Sequence, residues 1–286
     1  MNASILAVTG STGRLGGRVA RRLADRAVAQ RLIVRDPSRA PALDGAVVVR
    51  AGYADADAAR RALDGVSTLF MVSGAEAADR VDHHRTFIDA AMAAGVEHVV
   101  YTSFVGAAPD ATFTLARDHY ATEEYIKASG LAWTFLRDNL YLDFVPLFVG
   151  PDGVIRGPAG DGRVAAVAID DIADVAVAVL ITPADHAGRT YELTGPAAIT
   201  LGEAAETMSA ASGRTVTYHA ETVEEAYASR AAYGAPGWQV DAWVTTYTAI
   251  AAGELDEVTD DVARLTGHHP TSLADLLRRQ PHAPSP

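Results

Sequence analysis

The chain has 286 residues, enough for one large or two modest domains with a full core, and 49% hydrophobic against 21% charged residues is ordinary for a globular enzyme. Acidic residues outnumber basic ones 36 to 24 and the arginine doublets are scattered, which argues against nucleic-acid binding, and zero cysteines exclude disulfides, thiol catalysis and thiolate metal sites. No apolar run approaches the ~20 residues of a membrane span and the N-terminus enters a strand directly, so a cytoplasmic protein without signal peptide, metal or membrane partner is expected.

The first element is the most informative. An apolar run over residues 3–8 meets Gly10, Gly13 and Gly16, and a helical pattern (Val19, Ala20, Leu23, Ala24) follows. Strand, tight turn and helix form the context in which a glycine triplet binds phosphate. Gly10 takes the turn, Gly13 admits a pyrophosphate close to the backbone, and Gly16 lets the helix pack near the strand. The helix N-terminus offers free N–H groups and a positive dipole end.

Further strands are predicted at 31–34, 46–50, 67–72, 96–103 and 131–136, with helices at 57–63, 81–94 and 115–129 between them. This alternation predicts a Rossmann-type α/β fold, a doubly wound parallel sheet with its ligand at the carboxyl ends of the strands. From Asn139 the rhythm changes. Residues 150–162 read as a Gly/Pro-rich loop with one short strand. A strand at 163–169, a helix at 170–180 and a strand at 189–193 read as a return to the main sheet. Thr200 with Glu203 and Thr222 with Glu225 are capping-box signatures flanking a strand at 215–219, and three helical segments run on to Arg279. The expected division is a dinucleotide domain of residues 1–137 and 163–195, an interleaved substrate lobe of 138–162 and 196–280, and a flexible tail at 281–286.

Five segments carry a family likeness: Thr9-Gly10-Ser11-Thr12-Gly13-Arg14-Leu15-Gly16, Leu32-Ile33-Val34-Arg35-Asp36-Pro37, Val99-Val100-Tyr101-Thr102-Ser103, His119-Tyr120-Ala121-Thr122-Glu123, and Trp133-Thr134-Phe135-Leu136-Arg137-Asp138-Asn139. Together they resemble the NmrA-like group of atypical short-chain dehydrogenases, and within it the quinone oxidoreductases and triphenylmethane-dye reductases. The likeness implies a dinucleotide held by Gly10, Ser11, Thr12, Gly13, Arg14, Leu15 and Gly16. The residue ending the second strand faces the adenosine ribose, where arginine favours the 2′-phosphate of NADP and a carboxylate the 2′-hydroxyl of NAD. Arg35 sits where the resembling enzymes keep their arginine, and Arg14 is placed to help it. Asp36 is the alternative, so NADP is expected and NAD is the other reading. Tyr53 is expected on the adenine side, Met71, Val72 and Ser73 beneath the ribose, and Thr102 and Ser103 beside the nicotinamide. Asn139 is expected at the mouth of the cleft.

The Tyr-x-x-x-Lys pair of the main short-chain branch is missing. The sole lysine, Lys127, is preceded four positions earlier by Glu123, and Tyr120 has Glu124 where the activating cation would stand. His119 takes the place where many NmrA-like proteins carry a lysine touching the nicotinamide ribose. It either orients the cofactor or protonates a substrate, with Glu123 one turn on to orient it. Tyr141 is a proton donor, a stacking surface or a buried structural residue. The His83-His84 and His268-His269 pairs have no metal partners at useful spacing and read as surface residues. Phe104, Phe113, Tyr141, Phe144, Phe148, Trp238 and Trp243 are read as pocket lining or as ordinary core, with Phe104, Tyr141, Phe144, Phe148 and Trp238 expected to face substrate. A reductase without a dedicated acid suits acceptors whose hydride adduct is already a stabilised anion. The expected activity is therefore NAD(P)H-dependent reduction of a small quinone-like or polycyclic aromatic compound, as in aromatic natural-product tailoring. A non-catalytic redox sensor, and oxygenation or isomerisation on the same fold, are the alternatives.

Overall fold

The computed structural model describes residues 5–279, so the tail expected at 281–286 lies outside the described residues. In chain order the elements are β1 (Ile5–Thr9), α1 (Arg14–Asp25), β2 (Gln30–Val34), β3 (Ala46–Arg50), α2 (Ala56–Leu63), β4 (Val66–Met71), α3 (Arg80–Ala93), β5 (His98–Phe104), α4 (Thr114–Ala128) and β6 (Ala132–Asp138). There follow β7 (Val154–Gly157), β8 (Arg163–Val164), α5 (Ile169–Ile181), β9 (Arg189–Leu193), β10 (Ile199–Thr200), α6 (Leu201–Ser212), β11 (Thr217–Ala220), α7 (Val223–Arg230), α8 (Gly237–Ala251), α9 (Asp261–Thr266) and α10 (Leu273–Arg279). Contacts group them into two compact units: residues up to Phe104 with Asp118–Arg137 and Ile172–Tyr191, and Val105–Arg117 with Asp138–Asp171 and Glu192 onward.

Unit 1 is built on a seven-stranded sheet ordered β3-β2-β1-β4-β5-β6-β9. The pairings among β3, β2, β1, β4 and β5 are all parallel. The order doubles back at β1, so the crevice for a ligand lies beyond the carboxyl ends of β1 and β4. The central strands are apolar because helices cover both faces. On one face Ala7, Leu69, Met71, Val99, Tyr101 and Phe135 pack with Leu63, Phe87, Ile88 and Ile126 from the helices. Each such side chain contributes about 1.5–3 kcal/mol when removed from water.

Unit 2 carries two small sheets. β7 pairs parallel with β11, and β8 antiparallel with β10. The structure here departs from the expected return of 163–169 to the main sheet. Only Arg163–Val164 is a strand, and beyond it Ala165 N–H donates to Leu255 O (2.9 Å) and Val167 N–H to Leu140 O (2.9 Å). The cause is close backbone approach at two glycines. A Cβ on Gly195 would lie 2.2 Å from Ala166 O, and one on Gly162 would lie 2.2 Å from Ile250 O. The structure therefore draws the division elsewhere than the sequence rhythm does, with 163–171 and 192–195 in unit 2 together with 105–117. Both capping boxes form, at Thr200 with Glu203 and at Thr222 with Glu225. Among the described residues four α-helices follow Thr222, and Gly267 in a left-handed conformation ends α9 after six residues, before α10.

Candidate active site

The glycine turn has the geometry its sequence requires. Gly10 has φ +65°, a region where a side chain is strained, and its carbonyl accepts from Gly13 N–H at 2.8 Å. A Cβ on Gly16 would stand 2.5 Å from the Gly10 carbonyl, so only glycine lets α1 start there. α1 is capped by Gly13 with no side-chain hydrogen bond and has no acidic residue in its first turn. Ser11 is buried and its Oγ has no partner. Buried hydroxyls are almost always paired, so an orphan beside uncapped helix N–H groups fits an anionic group. The loop thus fits a dinucleotide pyrophosphate, with Gly13, Thr12 and Arg14 exposed around it and Leu15 buried beneath.

At the end of β2 the two ribose candidates differ. Asp36 Oδ1 accepts from Ser38 N–H (3.0 Å) and Ser38 Oγ–H (2.7 Å), capping the short 3-10 turn Pro37–Arg39. Those bonds hold its carboxyl below the usual range. Arg35 is exposed and carries neither hydrogen bond nor ion pair among the described residues.

The ends of β1, β4 and β5 are tied to one another. Tyr53 stacks on Phe87 (4.4 Å) and its hydroxyl donates to Val72 O (2.5 Å), 2.7 Å from Thr9 Oγ1. Burial pushes this phenol well above its ordinary range. Of the expected adenine-side contact, only the Tyr53 ring remains available. Met71 is wholly buried and packs in the core beneath the strand end. Thr102 Oγ1 accepts from Ser73 N–H (2.8 Å), and Gly74 N–H donates to His84 Nε2 (2.8 Å).

That last bond overturns the reading of His83-His84 as surface residues. His83 is half-buried beside Asp79, but His84 is fully buried, and burial, with Arg80 and His83, pushes its imidazole down to about 3. With Nε2 accepting, Nδ1 carries the proton and donates to Thr122 Oγ1 (2.9 Å), which donates to Asp118 O (2.8 Å). Arg80, also buried, pairs with Asp118 (3.1 Å). Sequence reasoning missed this cluster, though a signal was present. Arg80, His84, Phe87, Ile88 and Ala91 fall at helical spacing on the buried face of α3.

His119 is buried, 3.0 Å through Nδ1 from the Tyr101 hydroxyl, with the Phe104 ring centre 6.2 Å away. Burial, then Arg80, His84 and Arg137, hold it well below its ordinary range, so the imidazole is neutral at pH 7. Glu123 does not orient it. Its carboxylate accepts from Ser103 Oγ–H (2.6 Å) and pairs with Arg137 through both oxygens (2.8 and 2.7 Å). Strand β6 places Arg137 where it outcompetes a neutral imidazole. Lys127 is engaged with Glu124 (2.8 Å) and lies 5.6 Å from the centres of the Trp133 and Phe135 rings.

In unit 2, Asn139 is fully buried, its Nδ2 donating to Leu255 O (3.0 Å) and its Oδ1 accepting from Leu140 N–H (2.7 Å). It holds the chain after β6, and this explains an asparagine there without any ligand. The half-buried Tyr141 donates to Asp138 Oδ2 at 3.2 Å, with Phe144 5.5 Å from its ring. Asp138 is 2% exposed, its Oδ1 has no partner, and burial holds the carboxyl well above the usual range. The sequence reading passed over Asp138, and its only signal is a carboxylate next to a buried strand end. Phe148 contacts Tyr247 (5.9 Å), Trp243 contacts Tyr233 (5.9 Å), and Trp238 is half-buried. A hollow of about 440 Å³ in this unit, lined by Ala159–Arg163 and Ala251–Gly253, contains none of the expected substrate residues.

The NmrA-like family matches residues 2–237. This chain belongs to the NmrA-like family. Quinone oxidoreductase 2 of Escherichia coli strain K12 is 35% identical over 281 residues, covering 96% of this chain and 97% of its own length. A crystal structure of an NADPH-dependent quinone oxidoreductase from Escherichia coli, complexed with NADPH, superposes with a TM-score of 0.87 at 34% identity, covering 96% of this chain and 99% of that one. Citrobacter sp. triphenylmethane reductase complexed with NADP(H) gives a TM-score of 0.85 at 31% identity, covering 96% and 99%. Among the described residues no helix is long and apolar enough to cross a membrane.

Proposed function

We propose that this protein is an NAD(P)H-dependent reductase of quinone-like and other conjugated aromatic acceptors, with NADP(H) as the preferred cofactor. The observation that carries the reading is the uncapped start of α1 beside the orphaned Ser11 hydroxyl, which fits a dinucleotide pyrophosphate. Its relatives are named for quinone and triphenylmethane-dye reduction.

Each residue then has a task. Ser11 and the first N–H groups of α1 bind the phosphates. Arg35, exposed and without a partner, pairs the 2′-phosphate, while Asp36 remains with Ser38. Neutral His119 gives a hydrogen bond and orients. The bound nicotinamide supplies the hydride. In unit 2, Tyr141 and Phe144, with ring centres 5.5 Å apart, provide apolar faces for the acceptor. Tyr141, backed by the high-pKa carboxyl of Asp138, gives a proton to acceptors that need one.

Titration calorimetry and steady-state kinetics test this. Wild type should bind NADP(H) more tightly than NAD(H), and Arg35→Ala should lose about 1.5–3 kcal/mol with NADP(H) and little with NAD(H). Equal affinities would remove the 2′-phosphate assignment. Cofactor binding without oxidation by any quinone or dye would favour the sensor reading.

A further inference from the structure

Two rungs join β5 to α4. Tyr101 and Ser103 are two apart on one face of the strand, and His119 and Glu123 are one turn apart on one face of the helix. One rung is Tyr101 Oη to His119 Nδ1 (3.0 Å); the other is Ser103 Oγ to Glu123 Oε1 (2.6 Å).

The rungs fix opposite hydrogen-bonding characters. Glu123, gripped by Arg137 through both oxygens, only accepts, so the single proton of Ser103 is used on it. Ser103 Oγ can then receive a hydrogen bond but not give one. Tyr101 is fully buried with His119 Nδ1 at 3.0 Å, and the other hydroxyl beside it, Thr122, already accepts from His84 Nδ1 and donates to Asp118 O. A buried hydroxyl donates where an acceptor is within reach, so Tyr101 donates to Nδ1 and the imidazole proton resides on Nε2. The ring is neutral, which makes Nε2–H its sole donor. Ser103 and His119 each keep a small exposed remnant, at 3% and 7%.

We propose that Tyr101 and Glu123 are positioning residues that set this polarity, and that the pair of His119 Nε2–H and Ser103 Oγ reads the carboxamide of the bound nicotinamide. The inference rests on the NAD(P)H reading above. A carboxamide is planar, with an acceptor C=O and a donor NH₂ at fixed places, and it needs one donor and one acceptor opposite it. Ribose hydroxyls rotate to suit either polarity, so a fixed pair would give them no discrimination. The same arrangement bars Ser103 from donating to an anion developing on the substrate, the task of the corresponding hydroxyl in a carbonyl reductase. That restriction agrees with acceptors that delocalise their own charge.

The test combines calorimetry with ¹⁵N NMR of histidine-labelled protein. The first probe is NADP⁺, and the second is its 3-acetylpyridine analogue, which keeps the carbonyl and replaces the NH₂ with a methyl group. Wild type should bind the analogue about tenfold more weakly, the value of one hydrogen bond, and Ser103→Ala should bind both within about twofold. His119 should show its proton on Nε2, and Tyr101→Phe should populate both tautomers and bind both ligands about five- to tenfold more weakly. The ring resonances report in the same spectra whether each variant is folded. Equal wild-type affinities, discrimination that survives in Ser103→Ala, or a wild-type proton on Nδ1 would each overturn the inference. Failure of wild type to bind either NADP⁺ or NAD⁺ would instead overturn the NAD(P)H reading beneath it.

Discussion

The polar cluster between α3, β5 and α4 in unit 1 and the Asp138–Tyr141 pair in unit 2 use buried charge in opposite ways. In the first, His84, Thr122, Asp118, Arg80, Ser103, Glu123 and Arg137 each have a partner, and the chain of bonds leaves little freedom to rearrange. In the second, a carboxyl with one unpartnered oxygen is buried without a cation bonded to it. A satisfied network holds atoms in place, whereas an under-satisfied acid retains its proton because ionising it in a dry site is costly. The first cluster is built for positioning and the second for holding a proton.

The largest expected effect comes from breaking the satisfied network. Glu123→Ala leaves the Arg137 guanidinium without its carboxylate and should cost about 3 kcal/mol in chemical denaturation. A loss below about 1 kcal/mol would mean that water replaces the carboxylate readily.

The two regions should also respond oppositely to pH. His84 is depressed to about 3 in the folded state, below its unfolded value near 6.5, so its stabilisation is present above about pH 6.5 and lost as pH falls toward about 3. Asp138 is raised above its unfolded value near 3.9, so its contribution is full below about pH 4 and lost as pH rises through the folded value. Asp138→Asn should therefore flatten the decline that sets in above about pH 4 and leave the His84 contribution alone. An unchanged profile there would show that Asp138 titrates normally.

A smaller effect separates substrates. Hydride addition to a cationic triphenylmethane dye gives a neutral product and needs no proton, whereas a quinone must gain one. Tyr141→Phe should slow quinone reduction about tenfold and dye reduction by less than about twofold. An equal loss on both would make Tyr141 a binding surface. The smallest effect belongs to Tyr120→Phe, which should keep nearly all activity because the only lysine is engaged elsewhere.

Strands β1 to β6 were legible in the sequence because a sheet covered on both faces needs apolar, β-branched runs, and glycines or caps mark their ends. Residues 165–168 carry much the same composition, and composition does not say which backbone they bond. Gly162 and Gly195 decided that through close approach, a property of pairs of segments far apart in the chain. In the site, glycine chemistry and the missing Tyr-Lys pair were readable, since both depend on local spacing. The hydrogen-bond partners of His119 and Glu123 were not. Helical spacing suggested each other, but strands β5 and β6 supplied Tyr101 and Arg137 from elsewhere.

The solitary lysine has a practical consequence. An amine-directed fluorophore has Lys127 and the chain's first amino group to attach to, and because the α-amino group has the lower ordinary pKa, the labelling pH separates the two sites without mutagenesis. Lys127 is partly exposed, one helical turn from Glu123 and two from His119 on α4. A dye there sits on the helix that carries both rungs, and its emission would follow ligand binding in real time in the native protein.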